Sequence, residues 1–268
     1  MSTLVERIDQ RFYPGFSRNW DDQQFRDRIL RHLGPDKAVL DLGAGAGIVA
    51  AMNFKGLARS VCGVDLDPRV TTNPMLDEGR VADAGSIPWP DASFDVVFAD
   101  NVAEHLEDPH AVFREVSRVL KSGGVFLIKT PNKTHYMPAI ARITPHRFHQ
   151  FINRLRGRAE VDTFPTRYKA NTSRDLRSLA AQTGFAVEAI ELTDARPEYL
   201  RVSWPTYLLG LAYERLVELS ERLAGPLGVG AEDEFVGVLE VRDGAPLAEE
   251  LGVGREFDSA VGVAEAPL

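Results

Sequence analysis

Short apolar runs recur along the chain, separated by stretches with helical period. The runs at residues 38–42, 60–65, 80–83, 94–99 and 125–129 read as strands, and their alternation with helices predicts a parallel sheet covered by helices. Two further strand-like runs, 186–192 and 235–241, lie far apart, and the last is expected to insert antiparallel beside the other. The helix at 109–120 is well marked. Asp108 is a capping acid, Pro109 suits the first turn, and Val112, Val116, Val119 and Leu120 form an apolar stripe that ends at Lys121-Ser122-Gly123-Gly124. A second helix, 173–183, has Thr172 or Ser173 at its start and Gly184 at its end. One or two helices are expected in residues 1–34. A longer helix at about 203–224 carries Leu208, Leu209, Leu211, Leu216 and Leu219 along one side. That apolar side can pack inward, form a homodimer contact or touch a membrane surface, and its acids Glu214, Glu218 and Glu221 disfavour anionic lipid. Packing is the default. Residues 243–268 lack periodicity and read as a disordered tail.

The first strand runs into Asp41-Leu42-Gly43-Ala44-Gly45-Ala46-Gly47. Open α/β sheets bind ligands at this kind of strand end, and glycines let the backbone approach a ligand closely. A helix over 48–57 would aim its free N–H groups at that ligand. The turn alone suits NAD, FAD or S-adenosylmethionine (SAM).

Composition narrows the class. The chain has 268 residues, 44% of them hydrophobic, and a net charge of -8, which argues against general nucleic-acid binding. The single cysteine, Cys62, excludes an internal disulfide. With no apolar leader after Met1 and no membrane-length run, the expectation is a cytoplasmic protein.

Asp65 ends the second strand, where a carboxylate can accept hydrogen bonds from a ribose in NAD and SAM alike. Asp83 and Ala84 follow the third strand, where an acid can meet an adenine amine. Beyond them stand Pro88-Trp89-Pro90-Asp91-Ala92-Ser93-Phe94-Asp95 and Leu120-Lys121-Ser122-Gly123-Gly124. With the glycine turn, this series resembles the class I SAM-dependent methyltransferases, especially their small-molecule branch. The resemblance covers about residues 36–130 and, more loosely, 172–192. It implies a Rossmann-like, doubly wound α/β fold with a seven-stranded, mostly parallel sheet, helices on both faces and a helical lid. Residues 1–34 would be the lid, and 35–242 the methyltransferase domain with acceptor-site insertions at about 131–171 and 194–233. The resemblance assigns Asp41, Gly43, Ala44, Gly45 and Asn101 to the methionine end of SAM, Asp65 to the ribose, Leu66 to the adenine face, and Asp83 and Ala84 to the adenine. Acids suit SAM, which carries an ammonium and a sulfonium, and would repel a pyrophosphate.

Catalytic candidates lie at the same sheet edge. His105 follows the fourth strand, where it can serve as a base or orient its loop; His135 and Tyr136 follow the fifth and can bind or deprotonate an acceptor hydroxyl. His146 and His149 have helical spacing but no accompanying carboxylate or cysteine, so no metal site is expected, and His146 is instead assigned to the acceptor side. Arg167 and Tyr168 are placed there too. The arginine-rich stretch around them suits an anionic acceptor or, equally, a solvated face paired with acids. Tyr13 and Trp20 can shield the sulfonium by cation–π attraction or simply pack the N-terminal helix. The expected activity is methyl transfer to a small-molecule hydroxyl, with thiol or amine acceptors as alternatives. An NAD-dependent oxidoreductase and a noncatalytic binding protein of the same fold are the rival readings.

Overall fold

A computed structural model describes residues 4–13, 20–132, 165–194, 203–212, 215 and 232–241. Five strands form the parallel core: β1 (Ala38–Leu42), β2 (Ser60–Asp65), β3 (Glu78–Val81), β4 (Phe94–Asp100) and β5 (Leu120–Pro131). They lie in the order β3-β2-β1-β4-β5, so the chain reverses direction across the sheet at β1 and β4. β6 (Phe185–Asp194) and β7 (Glu232–Val241) extend the β5 side, with β7 antiparallel to both neighbours. This is a Rossmann-like arrangement with a mostly parallel sheet. No helix among the described residues is long and apolar enough to cross a membrane.

Alternation along the strands sorts side chains between two cores. On one face Leu40, Leu42, Val97, Phe126 and Ile128 meet helix α3 (Pro109–Val119) through Val112, Phe113 and Val116. Helix α4 (Ser173–Gln182) adds Leu176 and Ala180 there. The opposite face carries Val39, Val96, Phe98 and Leu127, covered by Phe25 and Ile29 of helix α2 (Trp20–Leu30). The first helix, α1 (Leu4–Phe12), has no buried residue of its own. It is tied instead to the helical stretch 204–212, where the buried Tyr207 donates its hydroxyl to Asp9 at 2.5 Å.

Capping follows the sequence. The Asp108 carboxylate accepts from the Ala111 N–H, and the Thr172 hydroxyl accepts from the Asp175 N–H. β3 departs from expectation, ending at Val81 rather than residue 83, because Asp83 turns back to accept the Gly85 N–H. β5 begins earlier than residue 125 because Leu120 already pairs with Phe94 across a bulge.

The helix expected at 48–57 does not form. A single 3-10 turn, Ala50–Met52, stands there. The Arg26 guanidinium takes the carbonyls of Ala51 and Asn53, the Asn53 side chain accepts from the Lys55 N–H, and Gly56 is left-handed at φ +82°. Each removes a partner or a conformation that a continuous helix requires. The tail at 243–268 and the rest of the 203–224 helix lie outside the described residues.

Phe98 joins the layers: its ring meets Phe54 at 5.3 Å and Phe25 at 6.5 Å, edge to face. Phe98→Ala is expected to cost about 3–5 kcal/mol in urea unfolding.

Candidate active site

Gly43, Gly45 and Gly47 all adopt positive φ. Two of them also leave no room for a side chain: a Cβ on Gly43 would lie 2.4 Å from Val102, and one on Gly47 would lie 2.3 Å from Asn73. Three residues, Val64, Asn73 and Asp65, hold the turn. The N–H groups of Gly43 and Ala44 reach the Val64 carbonyl, and the buried Asn73 amide donates to the carbonyls of Ala44 and Gly45. Asp65 accepts from the Gly45 N–H with one carboxylate oxygen and from the Asp67 N–H with the other, each at 2.8 Å.

The turn opens onto a cleft at the C-terminal ends of β1, β2 and β4. Its lining includes Asp41, Asp65, Asp67, Arg69, Asn73, Met75 and Asp100, with Ile48 and Val49 as an apolar rim. Asp41 forms its floor. Burial, then the fields of Asp100 and Asp65, hold its carboxyl well above the ordinary range. Among the described residues no donor is hydrogen-bonded to it. Asp100 is likewise raised by burial, against the pull of Lys129. Of the four acids lining the cleft, Asp67 is paired with Arg69 at 2.6 Å; Asp41, Asp65 and Asp100, the first without a donor, are suited to hold a cation.

Asp41, Gly43, Ala44, Gly45 and Asp65 thus line one cleft. The other predicted donor-side residues stand elsewhere. Asn101, left-handed at φ +55°, donates to the Asp100 carboxylate, and Asp100 itself reaches the cleft. Leu66 is exposed beside it, while Asp83 and Ala84 sit on the loop after β3, outside the lining. Trp20 is buried in α2 and Tyr13 stacks on Tyr207, so neither lines the cleft.

Alternation alone did not single out Asp100, Asn73 or Lys129. Lys129 on β5 is fully buried, with its ammonium 2.7 Å from Asp22, 2.9 Å from Asp100 and 3.3 Å from Asp21. A lysine on the α2-facing side of an otherwise apolar strand was the available signal.

A second group lies beyond β4. The buried Glu104 accepts from the Thr130 hydroxyl at 3.1 Å, and Thr130 accepts from the Asn171 amide at 2.6 Å. Burial raises the Glu104 carboxyl, with His105 pulling it down. The Glu104 carbonyl accepts the N–H groups of Arg167 and Tyr168. His105 Nδ1 lies 3.0 Å from the Pro165 carbonyl, which can only accept, so Nδ1 carries a proton. Its Nε2 faces Glu104 at 3.7 Å. Residues 165–171 are thereby fastened to the loop after β4. Arg167 pairs with Glu107 at 2.7 Å, as does Lys169 at 3.4 Å. His135, Tyr136, His146 and His149 lie outside the described residues.

Residues 40–128, which contain the glycine turn, the acid-lined cleft and His105, match the family model for a methyltransferase domain. Over this stretch the chain is similar to SAM-dependent methyltransferases. It is 38% identical over 120 residues to a probable S-adenosylmethionine-dependent methyltransferase of Mycolicibacterium smegmatis, covering 43% of this chain and 46% of that protein. It is 34% identical over 120 residues to the sarcosine/dimethylglycine N-methyltransferase of Halorhodospira halochloris, covering 41% and 43% respectively. The chain thus spans about half the length of the curated relatives it matches. The crystal structure of the YcgJ protein of Bacillus subtilis shares its fold at 18% identity, with a TM-score of 0.51 over 82% of this chain and 99% of that one.

The Mycolicibacterium smegmatis relative is named as S-adenosylmethionine-dependent, and the cleft of this chain fits that cofactor. The buried, donor-free Asp41 suits the ammonium of the methionine end, Asp65 has lone pairs left for a ribose, and the turn leaves no Cβ in the way. Raised carboxyl groups bind protons more strongly folded than unfolded, so the penalty of ionising Asp41 and Asp100 is absent below the ordinary carboxylate range and fully present above their folded values. Apo stability therefore falls as pH rises through that window, and a bound cation opposes the fall. The melting-temperature increase caused by SAM is expected to grow as pH rises above the ordinary carboxylate range. Asp41→Asn is expected to raise the apo melting temperature by a few degrees while weakening SAM binding roughly 10–100-fold, read by calorimetry.

Proposed function

We propose that the chain transfers the methyl group of SAM to a small-molecule acceptor, a hydroxyl oxygen being the preferred atom. The observation that carries this reading is the convergence of Asp41, Asp65 and Asp100 on a glycine-walled cleft. That electrostatic setting draws in a sulfonium and an ammonium and opposes the pyrophosphate of NAD. SAM supplies an already activated methyl group, leaving orientation, dryness and proton removal to the protein. The same reading takes the sheet as a seven-stranded, doubly wound arrangement. It makes the N-terminal helices the lid, and residues 131–171 and 194–233 the acceptor pocket.

In this reading His105 is the base. The Pro165 carbonyl fixes the proton on Nδ1, leaving Nε2 to accept the proton of the acceptor hydroxyl. The imidazolium that results faces the Glu104 carboxylate, which is held by Thr130. His135 and Tyr136 are proposed to hold the acceptor from the far side, with His146, Arg167 and Tyr168 shaping its pocket. N-methylation is the second reading, favoured by the similarity to a sarcosine/dimethylglycine N-methyltransferase. A neutral amine attacks without prior deprotonation and makes less use of a base.

Two measurements test this. Calorimetry with S-adenosylhomocysteine and with NADH separates the cofactors: binding of NADH alone would overturn the proposal. Asp65→Ala is expected to weaken SAM binding at least tenfold in a protein that still folds, because the ribose and the glycine turn lose the same acceptor. Turnover of alcohol, thiol and amine panels then reads the acceptor. His105→Ala is expected to lower kcat on a hydroxyl acceptor about 10²–10⁴-fold with SAM affinity unchanged. A loss under tenfold on amines, with no alcohol turnover, would select the N-methylation reading.

A further inference from the structure

We propose that Lys129 is a positioning residue for the donor cleft: its buried ammonium joins the first turn of α2 to Asp100 and so sets the geometry and charge of the carboxylates that meet the cofactor's cation. The inference rests on the reading of the cleft as a SAM site.

The sheet register carries it. Asp100 and Lys129 are direct partners across β4 and β5. By strand alternation both lie on the face that α2 covers, the face that also carries Asp41. Lys129 does not line the cleft, whereas Asp100 and Asp41 do. It therefore acts on the ligand through Asp100. On its other side Asp21 and Asp22 sit in the first turn of α2, outside the lining.

The charges around this pair fix the sign of the effect. Asp100 feels Lys129 as an attracting charge, and Asp21 and Asp22 as repelling ones. Asp41 feels Asp100 and Asp65, and Glu104 feels Asp100 and His105. Without the ammonium, Asp100 would be buried among like charges and would take up a proton at higher pH than in the wild type. The cleft would then lose one of its carboxylates. Removing Asp22 does the reverse, because the ammonium is then shared with fewer acids and holds Asp100 in its ionised form.

The test is the SAM dissociation constant of the full chain, measured by calorimetry between about pH 5 and about pH 9. Wild-type affinity is expected to weaken on the acid side as the cleft carboxylates protonate. Lys129→Met should bind SAM at least tenfold more weakly at pH 7, with the acid limb moved upward by about one to three pH units. Lys129→Arg should keep that limb near its wild-type place, and Asp22→Asn should move it downward. Uniform weakening with the limb fixed, or unchanged affinity in Lys129→Met, would overturn the proposal. If Lys129→Met does not fold, the direction of the limb in Asp22→Asn decides alone. Wild-type protein that binds no SAM at any pH would overturn the cofactor reading itself, and this inference with it.

Discussion

The donor end of this molecule depends on one buried ammonium. Lys129 sits at zero exposure among Asp21, Asp22 and Asp100, and no apolar substitute would satisfy those acids. Desolvating so many charges is expensive, and ion pairs of this kind seldom add net stability over a packed apolar core. Breaking one, however, leaves an uncompensated charge and costs about 3–5 kcal/mol. The arrangement is better understood as a device for specificity. It ties α2 to the sheet and works against the burial that raises Asp100 at the edge of the cleft.

From that constraint the rest of the site follows. With Lys129 on β5 facing α2, its partner Asp100 on β4 reaches the strand end on the same face as Asp41 of β1. Asp65 completes the set from β2 and braces the glycine turn with the same carboxylate. The cleft is thus an acid-rich rim on a fold whose two sheet cores are largely apolar. Burial raises Asp41 and Asp100 among its acids, which leaves that pair suited to a cationic ligand.

Much of this was legible in the chain. Short apolar runs placed the core strands within a few residues, and caps such as Asp108 and Thr172 stood where the sequence put them. Gly43, Gly47, Asp41 and Asp65 were recognisable because the strand–turn pattern is local. Asn73 was not, since it reaches the turn from twenty-six or more positions away through a loop with no period of its own. Lys129 was hidden for a related reason: its meaning depends on register with Asp100 and on where α2 docks. The acid of the Ser-Phe-Asp run proved structural, with Asp95 accepting from the Ala38 N–H and the Lys121 ammonium. Tyr13 and Trp20 were read either as a shield over the cofactor or as packing of the N-terminal helix, and burial of Trp20 and stacking of Tyr13 on Tyr207 fit the packing role.

The missing helix after the glycine turn bears on ligand choice as well as on folding. A helix N-terminus aimed into the cleft would bring roughly half a positive charge and a row of N–H donors, a setting that favours phosphates. Here Arg26 and Asn53 divert the backbone into one 3-10 turn, and the turn's own N–H groups are partly spent on Val64 and Asp65. What faces the ligand is therefore carboxylate rather than amide. The same local residues that break the helix tilt the cleft from an anion site toward a cation site. Glycine turn and acid cluster thus act together: the turn grants close approach, and the acids decide what approaches.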